Sequence, residues 1–147
     1  MKVKDIMRRP VVTISQEATL REAVALLSSA EVSGLPVLDA DGNLVGIITE
    51  HDVIKTLLPT YEDLLSSNTA LLDPALMENR AYQVRDTPVS SIMTRKVVTL
   101  EEDDSLLKAA STVILKKVKR LPVVRGKKPV GIVSRIDIVG TLIKAQL

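Results

Sequence analysis

The sequence predicts an α/β fold of the α+β type: two β-α-β-β-α repeats packed sheet to sheet into one pseudo-two-fold module. Three observations predict it: an internal duplication, a strand–helix–hairpin–helix grammar in each copy, and an interior that has to be aliphatic. The duplication comes first because a repeat constrains the whole fold. At an offset of 86, Ile6-Met7 returns as Ile92-Met93, Val11-Val12-Thr13 as Val97-Val98-Thr99, and Leu35-Pro36-Val37 as Leu121-Pro122-Val123. The offset then falls to 85, so that Val45-Gly46-Ile47 matches Val130-Gly131-Ile132 and Asp52 matches Asp137. The lost residue falls between DADGNL and RGKKP, a tight turn where a change of length is tolerated. Residues 1–58 and 89–147 are thus the two repeats, with 59–88 a connector.

Each copy opens with a short apolar run, VVTI or VVTL, read as a strand. A helix follows, starting at Thr19 with Glu22 three residues on; Leu20, Ala23, Val24 and Leu27 form its apolar stripe. Its twin starts near Ser105, with Leu106, Ala109, Ala110 and Val113, behind an acidic run Glu101–Asp104 that suits a helix N-terminus. LPVLD and LVGII then form a hairpin through Asp41-Gly42, matched by LPVVR and PVGIV. Pro36 and Pro122 suit the first position of a strand, where a missing N–H does least harm. A last helix begins at each Thr/Ser-x-x-Asp. In the connector, YEDLL and PALMENRAY read as short helices. A three-stranded sheet is too small to bury both faces alone, so the pair is expected to fold as one unit around a shared core.

Composition bounds the chemistry. Hydrophobic residues make up 46% of 147 residues, with no Phe, no Trp and only Tyr61 and Tyr82, so the core is aliphatic. Cysteine is absent, which excludes disulfides and thiolate metal sites and suits the cytoplasm. MKVKDIMRRP has no apolar signal region, and no run approaches the ~18 residues of a membrane span. The expectation is a cytoplasmic protein without membrane insertion. Net charge is +2 but uneven: segments 1–60, 61–105 and 106–147 carry −2, −5 and +9. The basic last third invites an anionic ligand, nucleic acid, or simply a solvated helix face.

The repeated Thr49-x-x-Asp52 and Ser134-x-x-Asp137 have two readings. As capping boxes they are worth about 1 kcal/mol each. As ligand sites, the strand-to-helix turn offers N–H groups and a hydroxyl to a phosphate, while the Asp one turn on could accept from the paired hydroxyls of a ribose. Gly46 and Gly131 would let the backbone approach a ligand closely. Lys119 and Arg120 precede the second LPV where the first copy has Ser33 and Gly34, so the two sites are expected to be unequal. The two cations suit either a solvated helix end or a phosphate.

The ordered set of IMR/IMT opening, x-L-P-V run and closing G-h-h-[ST]-x-x-D, present twice, resembles the cystathionine-β-synthase (CBS) domain, and the tandem resembles a CBS pair or Bateman module. The resemblance implies a regulatory module that binds an adenosine nucleotide (AMP, ADP or ATP, with S-adenosylmethionine or NAD as further candidates) between the repeats. Carried over residue by residue, it implies a tighter site of Val12, Val32, Ser33, Gly34, Lys119, Arg120, Ser134 and Asp137. A weaker one uses Thr49 and Asp52 with Thr94, Val98, Val118 and Lys119. It also implies a homodimer formed through the helices and a protein effector acted on in trans.

Rival functions have less to draw on. With His51 as the single His and no Cys, no nucleophile–base constellation can be assembled, so an enzyme is not expected. Nucleic-acid readers of single strands need aromatic platforms that this chain lacks, although Lys116, Lys117, Lys127 and Lys128 could meet a duplex. A scaffold that dimerises with empty sites is the remaining alternative.

Overall fold

The computed structural model describes residues 1–58 and 74–145. YEDLL of the connector lies outside them. The order of elements is β1 (Ile14–Ser15), α1 (Leu20–Ala30), β2 (Gly34–Leu38), β3 (Leu44–Thr49), α2 (Glu50–Leu57), α3 (Leu76–Val84), β4 (Leu100–Glu101), α4 (Leu106–Lys116), β5 (Arg120–Arg125), β6 (Lys128–Ser134) and α5 (Arg135–Lys144). Each repeat is β-α-β-β-α, as its sequence grammar requires. The sheets are β1-β2-β3 and β4-β5-β6, each with one parallel and one antiparallel pairing. The PALMENRAY helix is α3. Thr19 and Ser105 cap α1 and α4 by accepting the N–H of Glu22 and Lys108.

Three expectations are corrected. The first strand of each repeat is only two residues long, because VVT and its twin run irregularly before pairing begins. Pro36 and Pro122 stand in the third position of their strands, not the first. They are tolerated because Ile47 and Ile132, opposite them, turn their N–H and C=O away to Thr94 and Arg8. Each proline nitrogen therefore faces the edge of the sheet, ahead of the point where β1 or β4 pairs.

The third correction concerns the core. Burial divides into two aliphatic clusters, one per sheet, instead of one shared core. Leu35, Val37 and Ile48 anchor the first; Leu121, Val123 and Val133 anchor the second. What binds the halves is an exchange of segments. A 3-10 turn at Val3–Asp5 opens repeat 1 in sequence but packs on the second sheet, with Val3 fully buried in that cluster. Its Val3 and Lys4 N–H groups donate to the carbonyls of Asp104 and Glu102 at 2.8 and 3.0 Å. A matching turn at Val89–Ser91 buries Val89 in the first cluster and donates from Val89 and Ser90 to Ala18 and Gln16.

Gly46 and Gly131 receive these straps. A Cβ on Gly46 would stand 2.5 Å from Met93 Sδ, and one on Gly131 would stand 2.5 Å from Met7 Sδ and 2.8 Å from its Cγ. The glycines admit the Met of the opposite repeat's IM opening, not a ligand.

Candidate functional site

At the end of β6 the chain turns directly into α5. Ser134 caps that helix: its Oγ accepts the Asp137 N–H at 3.3 Å, and Asp137 Oδ2 accepts the Ser134 N–H at 3.0 Å. The register Arg120↔Ser134 sets Arg120 beside this cap. A cleft of about 350 Å³ opens here, lined by Ser33, Lys119, Arg120, Ser134, Arg135, Ile136 and Val139. That volume is within the usual ~300–1,000 Å³ of small-molecule sites. Ser33 comes from repeat 1 and the rest from repeat 2, so the cleft lies between the repeats. Lys119, Arg120 and Arg135 form no ion pair among the described residues. Among the described residues, no acidic side chain lines the cleft. Three cations with two hydroxyls and an aliphatic wall from Ile136 and Val139 make a receptacle for an anion carrying an apolar or aromatic part.

The helix start offers fewer free donors than its sequence suggests. The Arg135 N–H already donates to the Lys119 carbonyl at 3.1 Å, and the Asp137 N–H is held by Ser134. With those two N–H groups engaged, an anion here draws chiefly on the side-chain cations and hydroxyls.

Asp137 is not free either. Its side chain is 8% exposed, and Oδ1 accepts from Arg8 Nε at 2.9 Å and Nη2 at 2.8 Å. Burial alone would raise this carboxyl. The Arg8 hydrogen bond, the Ser134 bonds and the Arg8 charge together outweigh burial and hold it below the ordinary carboxylate value.

The pseudo-symmetric turn is built alike. Thr49 Oγ1 accepts the Asp52 N–H at 3.2 Å, and Asp52 Oδ2 accepts the Thr49 N–H at 2.9 Å. Asp52 Oδ1 accepts from Thr94 Oγ1 at 2.9 Å. The sequence-predicted Thr49, Asp52 and Thr94 therefore meet. Val98 and Val118 pack instead against the second-sheet cluster, and Val32 against the first. Gly34 pairs with Thr49 in the β2–β3 ladder, and Val12 is 39% exposed outside the first cleft's lining. Arg8 escaped the sequence reading, although the repeat offset that pairs it with Thr94 was a signal that could have found it. Tyr82 is exposed, with the Arg85 guanidinium 3.8 Å over its ring. His51 is exposed on the first turn of α2, and among the described residues no His/Cys/Asp/Glu group could hold a metal.

The basic residues do not form one stripe. Lys116 and Lys117 end α4 beside the start of β5, whereas Lys127 and Lys128 occupy the β5–β6 turn, about 20 Å away along the ladder. Lys128 Nζ is moreover held by the Asp41 carbonyl at 2.7 Å. No helix among the described residues is long and apolar enough to cross a membrane.

Comparison with known proteins gives this geometry its context. The family model of the CBS domain matches residues 3–59 and 89–144. An uncharacterized protein of Methanocaldococcus jannaschii is 36% identical, across 97% of this chain and 92% of that protein. A CBS domain-containing protein of Dictyostelium discoideum is also 36% identical, across 97% and 91%. Among solved structures, the CBS domain pair of protein MJ0100 in complex with 5′-methylthioadenosine and S-adenosyl-L-methionine is 28% identical. It superposes with a TM-score of 0.73, covering all of this chain and 98% of the other.

Proposed function

The chain belongs to the CBS domain family as a tandem pair, and from that premise we propose that it is a non-catalytic regulatory module binding an adenosine nucleotide in the Ser134 cleft. The observation that carries the reading is the cleft between repeats, lined by three cations without ion pairs among the described residues and by two hydroxyls, one turn from a carboxylate only 8% exposed. Phosphate would meet Lys119, Arg120 and Ser134; the ribose would meet Asp137; the base would lie toward Val12, Val32, Ser33 and Gly34. AMP, ADP and ATP suit the charge of the cleft. The adenosine compounds bound by MJ0100 keep S-adenosylmethionine among the candidates, and NAD shares the same half. The turn at Thr49 and Asp52, with Thr94, Val98 and Val118, is the weaker second site.

Output is to a protein effector in trans, through a homodimer. Leu107, Ile114 and Leu115 on α4 and Ile136, Val139 and Ile143 on α5 are each more than half exposed, an apolar face large enough to seek a partner. A second copy packed on these helices would feel any closure of the adjoining cleft. Ligand drives such a change only through its differential affinity for the two states. Sedimentation should show a dimer that Ile114→Lys with Val139→Lys dissociates.

A calorimetric panel of AMP, ADP, ATP, NAD and S-adenosylmethionine tests the function. One of them should bind wild type, raising stability by about 2.7 kcal/mol at 100 times Kd, with binding lost in Asp137→Ala and largely kept in Asp52→Ala. No binding by any of the five, or binding indifferent to both substitutions, rejects the reading.

A further inference from the structure

The geometry points to Arg8 as a specificity-determining residue: an internal competitor that any ligand must displace to place its sugar hydroxyls on Asp137. The inference rests on the nucleotide reading above and adds what the first cleft demands of its ligand.

Asp137 has two oxygens. Oδ2 is committed to the Ser134 N–H as part of the cap that starts α5, and losing it would unfasten the helix. Oδ1 is the oxygen a ligand could take without disturbing the fold, and both Arg8 contacts fall on it. The two side chains differ sharply in position: Arg8 is 70% exposed and Asp137 8%. The guanidinium thus lies on the solvent side and covers the carboxylate from outside. A vicinal diol, which donates two hydrogen bonds to a carboxylate, needs the surface that Arg8 occupies.

The duplication supplies an internal control. The offset of 86 places Thr94 where Arg8 stands, and Thr94 Oγ1 reaches Asp52 Oδ1 at 2.9 Å. Both repeats therefore touch their carboxylate from the same backbone position of the opposite strap. One uses a small neutral hydroxyl and the other a cation bonded twice. The backbone at both positions is pinned alike, by the Arg8–Ile132 and Thr94–Ile47 hydrogen bonds, so the side chain can leave while the strap stays. The difference between sites is thus a side-chain choice within a shared frame. It lowers the affinity of ligands that seat a diol on Asp137, which must displace Arg8, and leaves ligands without a diol unaffected.

The test titrates AMP and 2′,3′-dideoxy-AMP into wild type, Arg8→Thr and Arg8→Lys by calorimetry. AMP should bind Arg8→Thr about two- to fivefold more tightly than wild type, the range expected for removing an ion pair whose cation is solvent-exposed. Arg8→Lys, which keeps the charge without the fork, should gain less. Dideoxy-AMP should gain nothing from either substitution. AMP binding to wild type that is unchanged or weakened by both substitutions overturns the proposal while leaving the nucleotide reading standing. An equal gain for dideoxy-AMP overturns it too, since the contest would not be over the diol. AMP binding to none of the three proteins overturns both. Should Arg8→Thr not fold, the Lys variant decides by the same criteria.

Discussion

The two Thr/Ser-x-x-Asp turns share a backbone and differ in charge. At the first-repeat turn the neighbours are Gly34, Glu50 and Thr94; at the second-repeat turn the same positions hold Arg120, Arg135 and Arg8. Ser33 likewise becomes Lys119 across the repeat. The same capping box is formed at both, so it explains the hydroxyl and the acid but not the cations around only one of them. Duplication kept the scaffold and concentrated positive charge at one turn. Two capping boxes of the same build can thus sit in opposite electrostatic surroundings.

The comparison breaks most readily at the cleft cations. Lys119→Ala with Arg120→Ala should weaken nucleotide binding at least 100-fold, since each charge-assisted bond is worth about 1.5–3 kcal/mol. Thr49→Ala, at the uncharged counterpart, should leave that affinity within about twofold. Calorimetry decides both, and equal losses would make the two turns equivalent.

Next in size is the fit of the straps, where the repeats should behave alike. Gly131→Ala forces Met7 aside and Gly46→Ala forces Met93, each at about 1–3 kcal/mol of stability by urea unfolding. A double-mutant cycle of Gly131→Ala with Met7→Ala should show a coupling above about 0.5 kcal/mol.

The straps should part company in acid. The first is clamped by ion pairs: Lys2 and Lys4 to Asp103, Arg9 to Glu102, and Arg8 to Asp137. Glu102 is held low by Arg125 and further by Arg9, Asp103 by Lys4 and then Lys2, and Asp137 by Arg8 and Ser134 against its burial. A depressed carboxyl contributes stability above its unfolded pKa of about 4, and that contribution is lost as pH falls through the folded value. Hydrogen exchange at the Arg8 amide, corrected for intrinsic rate, should therefore accelerate below about pH 4 more than at the Thr94 amide. High salt should act in the same direction at the Lys2 and Lys4 pairs with Asp103, where both partners are exposed, and less at Asp137 and Glu102, whose carboxylates are shielded.

The smallest effect concerns helix ends. Glu31 and Lys117 close α1 and α4 in left-handed conformation at φ 55°, a cost that glycine avoids. Glu31→Gly and Lys117→Gly should each stabilise by about 0.5–1 kcal/mol in urea unfolding.

The element order, both helix caps and the hairpin turns were legible because they are local: offset, period and turn residues specify them. The exchange of straps was not, because sequence adjacency assigns Val3 to repeat 1, which it opens. Only tertiary packing places Val3 in the cluster of Leu121 and Val123. For the same reason Gly131 read as a ligand platform when its neighbour is Met7, 124 residues away in the chain. At the site, Ser134, Lys119 and Arg120 followed from motif and charge. Arg8 did not, since its role depends on a strap whose destination the sequence conceals.

The most direct test of the cleft itself is an amide NMR titration of the labelled protein with AMP. Ser33, Arg120, Ser134 and Ile136 should shift first and saturate together, with Thr49 and Asp52 following at higher concentration or not at all. Shifts that begin at Thr49 and Asp52, or that bypass Ser134, would contradict the assignment of the ligand to the cationic cleft.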